Sequence, residues 1–433
     1  MLEELPFNLN TLPQPTYLVG GWVRDRLLGR QAKHLDLDLV MPTRAVETAS
    51  SLALSYQTGF VLLDQERQIA RVVFANATVD FAQQIGDTIA EDLHRRDFCM
   101  NAIAINCQAL CDLSKSLGSL PPDLPPNLLI DPLHGYSDLQ NKLIRMVAPE
   151  NLLDDPLRVL RGYRQAAQLG FAIEPQTRLA LQHAAAGLPQ VAAERVRTEL
   201  CYLLAIANGA EWFEAAARDR ILVDWLPLDH LNLERLSRME TAISAIAQQW
   251  PQLEDFFAVE LSSDRSVRVT AKLAALANSA TALDPLGFSR IEQRWIVGLL
   301  RHLPQFLQYL QPGSSPSLSP QAQYQLFDRT QEFFPALAAL AIASGASLEV
   351  VLPWLDRWID PYDPIAHPVI LVSGDVLKTV LEIPASPIIG KLLTAIRLAQ
   401  VDGMVQDRET AIAYARKLYQ ASQQYPTNYQ SDL

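Results

Sequence analysis

Apolar and polar positions are arranged most tellingly in residues 17–40, YLVGGWVRDRLLGRQAKHLDLDLV. Tyr17, Leu18 and Val19 make an apolar run that breaks at Gly20-Gly21. Trp22 to Leu28 has helical spacing, with Val23, Leu27 and Leu28 on one face and Arg24, Asp25 and Arg26 off it. Gly29 ends that piece, as glycine does just past a helix. Leu35 to Val40 alternates strictly and predicts a strand. Its leucines take one face, and Asp36 and Asp38 take the other.

The pattern continues as a small α/β domain. Ala45–Leu54 reads as a helix. Phe60–Leu63, Ala70–Phe74 and Thr78–Phe81 read as strands of a mostly antiparallel meander. Ile89–Ile105 has the spacing of one amphipathic helix, with Phe98, Ala102 and Ile105 in phase. Leu113–Asn127 is rich in proline and serine and reads as an inserted loop. A turn is expected at Asp131-Pro132 and a short helix over Asp138–Ile144. Asp154-Asp155-Pro156 is a strong helix start, the helix running to Leu169 and stopping at Gly170. Val191–Leu204 and most of residues 206–300 are also helical in pattern. Gln311–Gln323 reads as a loop or linker, and helices then resume to the end. The uncharged stretch Phe333–Leu348 contains Pro335, Ser344 and Gly345; it is short for a membrane span and reads as a buried helix and turn. No internal repeat is evident.

The acidic face of Leu35–Val40 carries the chemistry. Residues i and i+2 of a strand point the same way, roughly 6.6 Å apart. Two carboxylates held there repel unless a cation lies between them. Hard divalent ions such as Mg²⁺ bind carboxylate oxygens together with substrate phosphates, and paired metals can serve both attacking and leaving oxygens. A glycine pair after a strand lets backbone N–H groups approach a phosphate. The stretch therefore points to metal-assisted nucleotidyl transfer, with Asp36 and Asp38 as metal carboxylates and Gly20, Gly21 and Arg24 near phosphates. An acidic-faced hairpin with a Gly-Gly turn is the bland alternative. Asp80 alternates in phase with Val79 and Phe81; it reads either as a third carboxylate or as a strand-end aspartate.

Composition changes the picture in two ways. The chain has 433 residues, 49% hydrophobic and 19% charged, as a soluble multidomain protein does. Its net charge of −12 argues against binding nucleic acid by bulk electrostatics, so an RNA partner needs a local basic groove. Cys99, Cys107, Cys111 and Cys201 form no CxxC pair, which argues against a zinc site or disulfide framework and fits a reducing cytoplasm. The N-terminus has no long apolar run of the signal-peptide kind.

GGWVRDRLLG followed by DLDLV resembles the head signature of class II tRNA nucleotidyltransferases and bacterial poly(A) polymerases, within the polymerase-β-like nucleotidyltransferases. Arg95-Arg96-Asp97 with Asn101 resembles the family's RRDxxxN motif. Asp154-Asp155-Pro156-Leu157-Arg158 resembles its EDxxR motif, with Asp154 where the family has Glu. Glu194, Arg195 and Arg197 resemble a following neck motif, and residues 370–418 weakly resemble the tail. Residues 206–365 match no quotable motif.

The resemblance implies an α/β nucleotidyltransferase head (1–145) followed by an all-α neck (146–205), body (206–345) and RNA-binding tail (346–433). It implies that Asp97 and Asn101 hold the ribose, with Arg95, Arg96 and Arg161 nearby on phosphates and nucleotide. Asp155 and Arg158 would read the base edge of CTP or ATP, since a carboxylate accepts from an amino group and a guanidinium donates to ring nitrogen or carbonyl oxygen. Arg195 and its neighbours would brace that helix. The partner implied is the tRNA 3′ end, with no DNA and no membrane. Family members that finish with A carry a flexible segment between the metal strands and the RRD motif. Here only FAQQIGDTIA separates Asp80 from Glu91, so CC addition alone is an open reading beside full CCA addition. A poly(A) polymerase shares these motifs. A small-molecule adenylyltransferase would not need the RRD and DDxxR pair, and a non-catalytic RNA-binding module would not need the carboxylates.

Overall fold

The computed structural model describes residues 5–30, 34–117, 124–262, 265–311 and 319–424, and the chain forms two compact units, Met1–Pro227 and Leu228–Leu433.

The first unit is built on β1 (Tyr17–Val19), α1 (Gly21–Leu27), β2 (Leu35–Met41), α2 (Ala45–Tyr56), β3 (Gly59–Asp64), β4 (Ile69–Val73), β5 (Ala77–Gln83), α3 (Ile89–Leu93), β6 (Ala104–Asn106), α4 (Cys107–Leu117) and β7 (Leu129–Ile130). One seven-stranded sheet results, in the order β3-β4-β5-β2-β1-β6-β7. The β3–β4–β5 meander is antiparallel as expected, whereas β5 returns parallel to β2, with Leu37 beside Val79 and Asp38 beside Asp80. Leu37, Val79 and Val72 are buried in register, which places the period-two leucines of β2 in the core. The buried side of α2 (Ala45, Ala49, Leu52, Ala53) packs on β4 and β5.

The head ends with α5 (Gly135–Gln140) and β8 (Leu143–Ile144), and α6 (Pro149–Asp154), α7 (Leu157–Leu169), β9 (Ala172–Ile173), α8 (Pro175–Ala184), α9 (Ala193–Ala205) and α10 (Gly209–Arg218) follow. Gly170 closes α7 at φ 69°, the left-handed conformation expected of a C-terminal glycine. Because α10 packs on α7 and α9, residues 206–227 sit with the neck and head.

Three local expectations change. Ile89–Ile105 is not one helix: α3 stops at Leu93, Phe98 is extended, and only Cys99–Asn101 turns again. The chain leaves the helix because it pairs with residues 145–147, the Cys99 N–H donating to Arg145 and the Val147 N–H to the Asp97 carbonyl. Asp138–Ile144 divides into the end of α5 and strand β8. Of the proline-rich stretch, Leu113–Leu117 extends α4, whereas 118–123 lies outside the described residues.

The second unit is helical. It contains α11 (Leu233–Gln249), α12 (Gln252–Ala258), α13 (Val267–Leu276), α14 (Arg290–Tyr309), α15 (Pro320–Thr330), α16 (Phe334–Ala343), α17 (Leu348–Ile359), α18 (Gly374–Leu381), α19 (Pro387–Val401) and α20 (Arg408–Gln424). Most of the Gln311–Gln323 linker lies outside the described residues, and its end opens α15. The uncharged run is the buried helix α16, ending in a turn at Gly345. Trp354 of α17 packs on Phe306 and Phe327, so α17 belongs with the body, and a separate core begins near Leu371 and is built by α18–α20. Among the described residues no helix is long and apolar enough to cross a membrane.

Candidate active site

A cavity of about 1380 Å³ opens in the first unit, lined by Gly20, Gly21, Asp36 and Asp38, the Arg95–Asp97 segment, Asn101, and Asp155, Arg158 and Arg161. Ten of its lining residues are arginines. Eight others are aspartate or glutamate, so in a chain of net charge −12 the cavity holds a small local excess of positive charge.

Strand β2 sets the carboxylates. Asp36 is 84% exposed at the mouth, and Asp38 sits deeper. Burial pushes the Asp38 carboxyl up, Arg96 pulls it back, and Asp80 and Asp36 push it further up. A divalent cation would relieve that penalty. The glycine of β1–α1 makes room for it. Gly20 has φ 76°, and a Cβ there would lie 2.9 Å from Asp38 Oδ2 and 3.3 Å from Arg96 Nη1. Any side chain would therefore cover the carboxylate. The donor set fits a hard cation that takes its remaining ligands from phosphates and water. Asp80 shares this sheet face but does not line the cavity; Arg71 holds it through Nε–Oδ1 at 2.7 Å and Nη2–Oδ2 at 2.8 Å.

Asp97 and Asn101 lie where the RRDxxxN spacing brings them, and they are bonded to each other at 2.9 Å across the bend rather than along a helix. Both are buried. Asp97 Oδ1 accepts from Phe98 N–H and Asn101, and Oδ2 accepts from Arg161 Nε at 3.0 Å. Asn101 accepts from Arg24 Nη1 at 2.9 Å and donates to Gln165 at 2.9 Å. The pair thus joins Arg24 of α1 to Arg161 of α7. Although burial opposes it, the Arg161 charge and these hydrogen bonds hold the Asp97 carboxyl down at about 2. Arg95 is exposed at the rim, and Arg96 reaches back to Asp92 at 3.4 Å.

Asp155 lies just before α7, accepting from Leu157 N–H at 3.3 Å and from Arg195 Nη2 at 3.3 Å. Arg158 on the first turn donates to the Asn151 carbonyl at 2.9 Å. The side chain of Asn151 in turn bonds the carbonyls of His94 and Arg96, both at 2.8 Å. Arg158 and the RRD segment are therefore built into one frame through Asn151. Arg164 pairs with Glu199 at 2.6 Å, tying α7 to α9. Gln165, Asn151 and Asp92 belong to none of the motifs in the sequence. Residues 158, 161 and 165 share one helical face, so periodicity from Arg158 points to Gln165; Asn151 and Asp92 have no such signal.

A strand–glycine–helix–strand head carrying paired aspartates in an arginine-lined cavity defines a nucleotidyltransferase. Residues 16–145 match the poly A polymerase head domain, and residues 170–228 match the probable RNA and SrmB-binding site of polymerase A. The chain is 41% identical to a CC-adding tRNA nucleotidyltransferase of Synechocystis sp., over 96% of each chain. It is 30% identical to one of Geobacter sulfurreducens, over 93% of this chain and 91% of that one. A solved CCA-adding enzyme in complex with CTP matches with a TM-score of 0.68 at 24% identity, over 94% of this chain and 91% of that one. The chain belongs to the tRNA nucleotidyltransferase family and is an enzyme of nucleotidyl transfer. The family is generally metal-dependent.

Proposed function

We propose that this enzyme adds cytidines to the 3′ end of tRNA from CTP and stops at CC, using Mg²⁺ in the cytoplasm. Four buried free cysteines are in keeping with a reducing compartment. Asp36 and Asp38 would hold Mg²⁺, which supplies activation of the 3′-hydroxyl and charge neutralisation at the α-phosphate. Gly20 and Gly21 admit the triphosphate closely, and Arg24 and Arg96 set its charge. Arg95 meets the approaching RNA at the rim. Asp155 accepts from the cytosine amino group while Arg158 donates to its ring nitrogen and carbonyl. Asp97 and Asn101 position Arg24 and Arg161 around the sugar and phosphates.

The observation that carries the CC reading is the connection between β5 and α3. Only Gln84–Thr88 lie between them, and nearly every residue is tied. Gln84 N–H donates to the Met41 carbonyl at 2.8 Å, Ile85 N–H to Asp92 at 3.1 Å, and Asp87 N–H to Glu91 at 2.7 Å. Thr88 caps α3 through the Glu91 N–H. A Cβ at Gly86, φ 87°, would strike the Glu91 side chain. A segment this short and this bonded is poorly suited to moving the base-reading pair from CTP to ATP. The CC-adding names of the two relatives agree with this reading.

The test uses two substrates. A tRNA lacking its 3′ terminus, given CTP and ATP, is expected to gain two cytidines and stop. A tRNA ending in CC, given ATP alone, is expected to gain nothing. Efficient addition of one A would leave a full CCA-adding enzyme, and a run of A would leave a poly(A) polymerase.

A further inference from the structure

Asp38 and Asp80 are register partners on adjacent parallel strands, and Asp36 shares their face two residues back. Three carboxylates so placed would make a strong cation site by themselves. The structure does not use them that way. Arg71, opposite Asp80 on β4, grips both of its oxygens with a planar fork at 2.7 and 2.8 Å. Asp36 and Asp38 line the cavity while Asp80 and Arg71 do not. Among the described residues no group of three His, Cys, Asp or Glu side chains is arranged to hold a metal.

We propose that Arg71 is a positioning residue that withholds Asp80 from the metal site. Asp36 and Asp38 are thereby left as a two-carboxylate site with weak affinity for free divalent cations, and the cation binds well only when a triphosphate supplies the remaining oxygens. Arg71 also places a fixed positive charge on the strand beside the carboxylates. This rests on the assignment of Asp36 and Asp38 as metal carboxylates.

The experiment is Mn²⁺ binding to the full-length, nucleotide-free protein, read from the EPR signal of unbound Mn²⁺. Arg71→Ala and the bulkier Arg71→Gln are expected to bind Mn²⁺ about tenfold more tightly than the parent, the scale of removing one cation and freeing one carboxylate in a partly exposed site. Asp80→Asn is expected to bind more weakly than the parent, since the released guanidinium turns to Asp38. The double variant Arg71→Ala/Asp80→Asn is expected to return to within about threefold of the parent, as the two changes cancel. Unchanged or weaker binding in both Arg71 variants overturns the proposal, as does tight binding that persists when Asp80 is also replaced. Asp38→Asn is the separate control. Mn²⁺ binding unaffected by it sinks the metal assignment itself, whereas binding lost in Asp38→Asn but not tightened in the Arg71 variants sinks only the role of Arg71.

Discussion

At the scale of single residues, Asp97 is the most heavily engaged side chain in the site. It is buried, yet it stays ionised because Arg161, Asn101 and the Phe98 N–H all meet it. Its carboxyl titrates at about 2 in the folded protein, below its ordinary value of 3.8. A depressed carboxyl stabilises the fold above its unfolded pKa, and that contribution fades as pH falls through the folded value. Asp97→Ala is therefore expected to cost about 1–3 kcal/mol near neutrality, since it leaves Asn101 and the Phe98 N–H without their acceptor while Arg161, 37% exposed, can turn to solvent. The difference between parent and Asp97→Asn should shrink as pH drops from about 4 to about 2, read from denaturant unfolding of the head. A difference that stays constant over that range would mean the carboxylate charge is not what the network uses. The sequence made this residue conspicuous, and the resemblance assigned it to the ribose. What could not be read there is that its oxygens are already occupied: that depends on Arg161, 64 positions away, arriving from α7.

At the scale of elements, legibility followed the range of the forces. The α1 turn, the aspartate face of β2, the meander, α7 with its Gly170 stop and the buried α16 were all written in local periodicity and capping. The RRD segment was not, because its amphipathic spacing lost to pairing with residues 145–147. The start of α7 was legible for a different reason. Acidic residues before Pro156 announce a helix, and Arg158 then falls beside Asp155 by geometry alone. Arg195 of α9 holds Asp155 from behind, at 3.3 Å, as the neck motif implied. Arg158→Ala is accordingly expected to relax the choice among nucleotides more than it weakens triphosphate binding. Arg195→Ala should relax it in the same direction by a smaller factor, because it loosens Asp155 without removing a base contact. Competition between CTP and UTP or GTP at each position of the product measures both. A variant lacking Arg158 that still rejects UTP and GTP as the parent does would remove the base-reading role from this helix.

At the scale of the whole molecule, the charge of −12 and the arginine-lined cavity act against each other. Long-range repulsion of a polyanion is screened over about 8 Å at physiological ionic strength, whereas contacts inside a partly buried groove are screened much less. Binding should therefore come from the few phosphates that enter the groove and from the shape of the RNA, not from a diffuse basic surface. Each neutralised phosphate contributes roughly 0.9 to the slope of log affinity against log salt on a duplex. A protein wrapped in phosphate contacts would show a slope of about six or more, and this one is expected to show about two or three. Unstructured RNA of the same length, and duplex DNA, should compete poorly for the same reason. Filter binding of tRNA lacking its 3′ terminus, over a salt series with these competitors, measures both quantities. A steep slope together with effective competition by unstructured RNA would show that bulk electrostatics dominates after all. The local groove would then be an entrance to the chemistry and not the basis of tRNA selection.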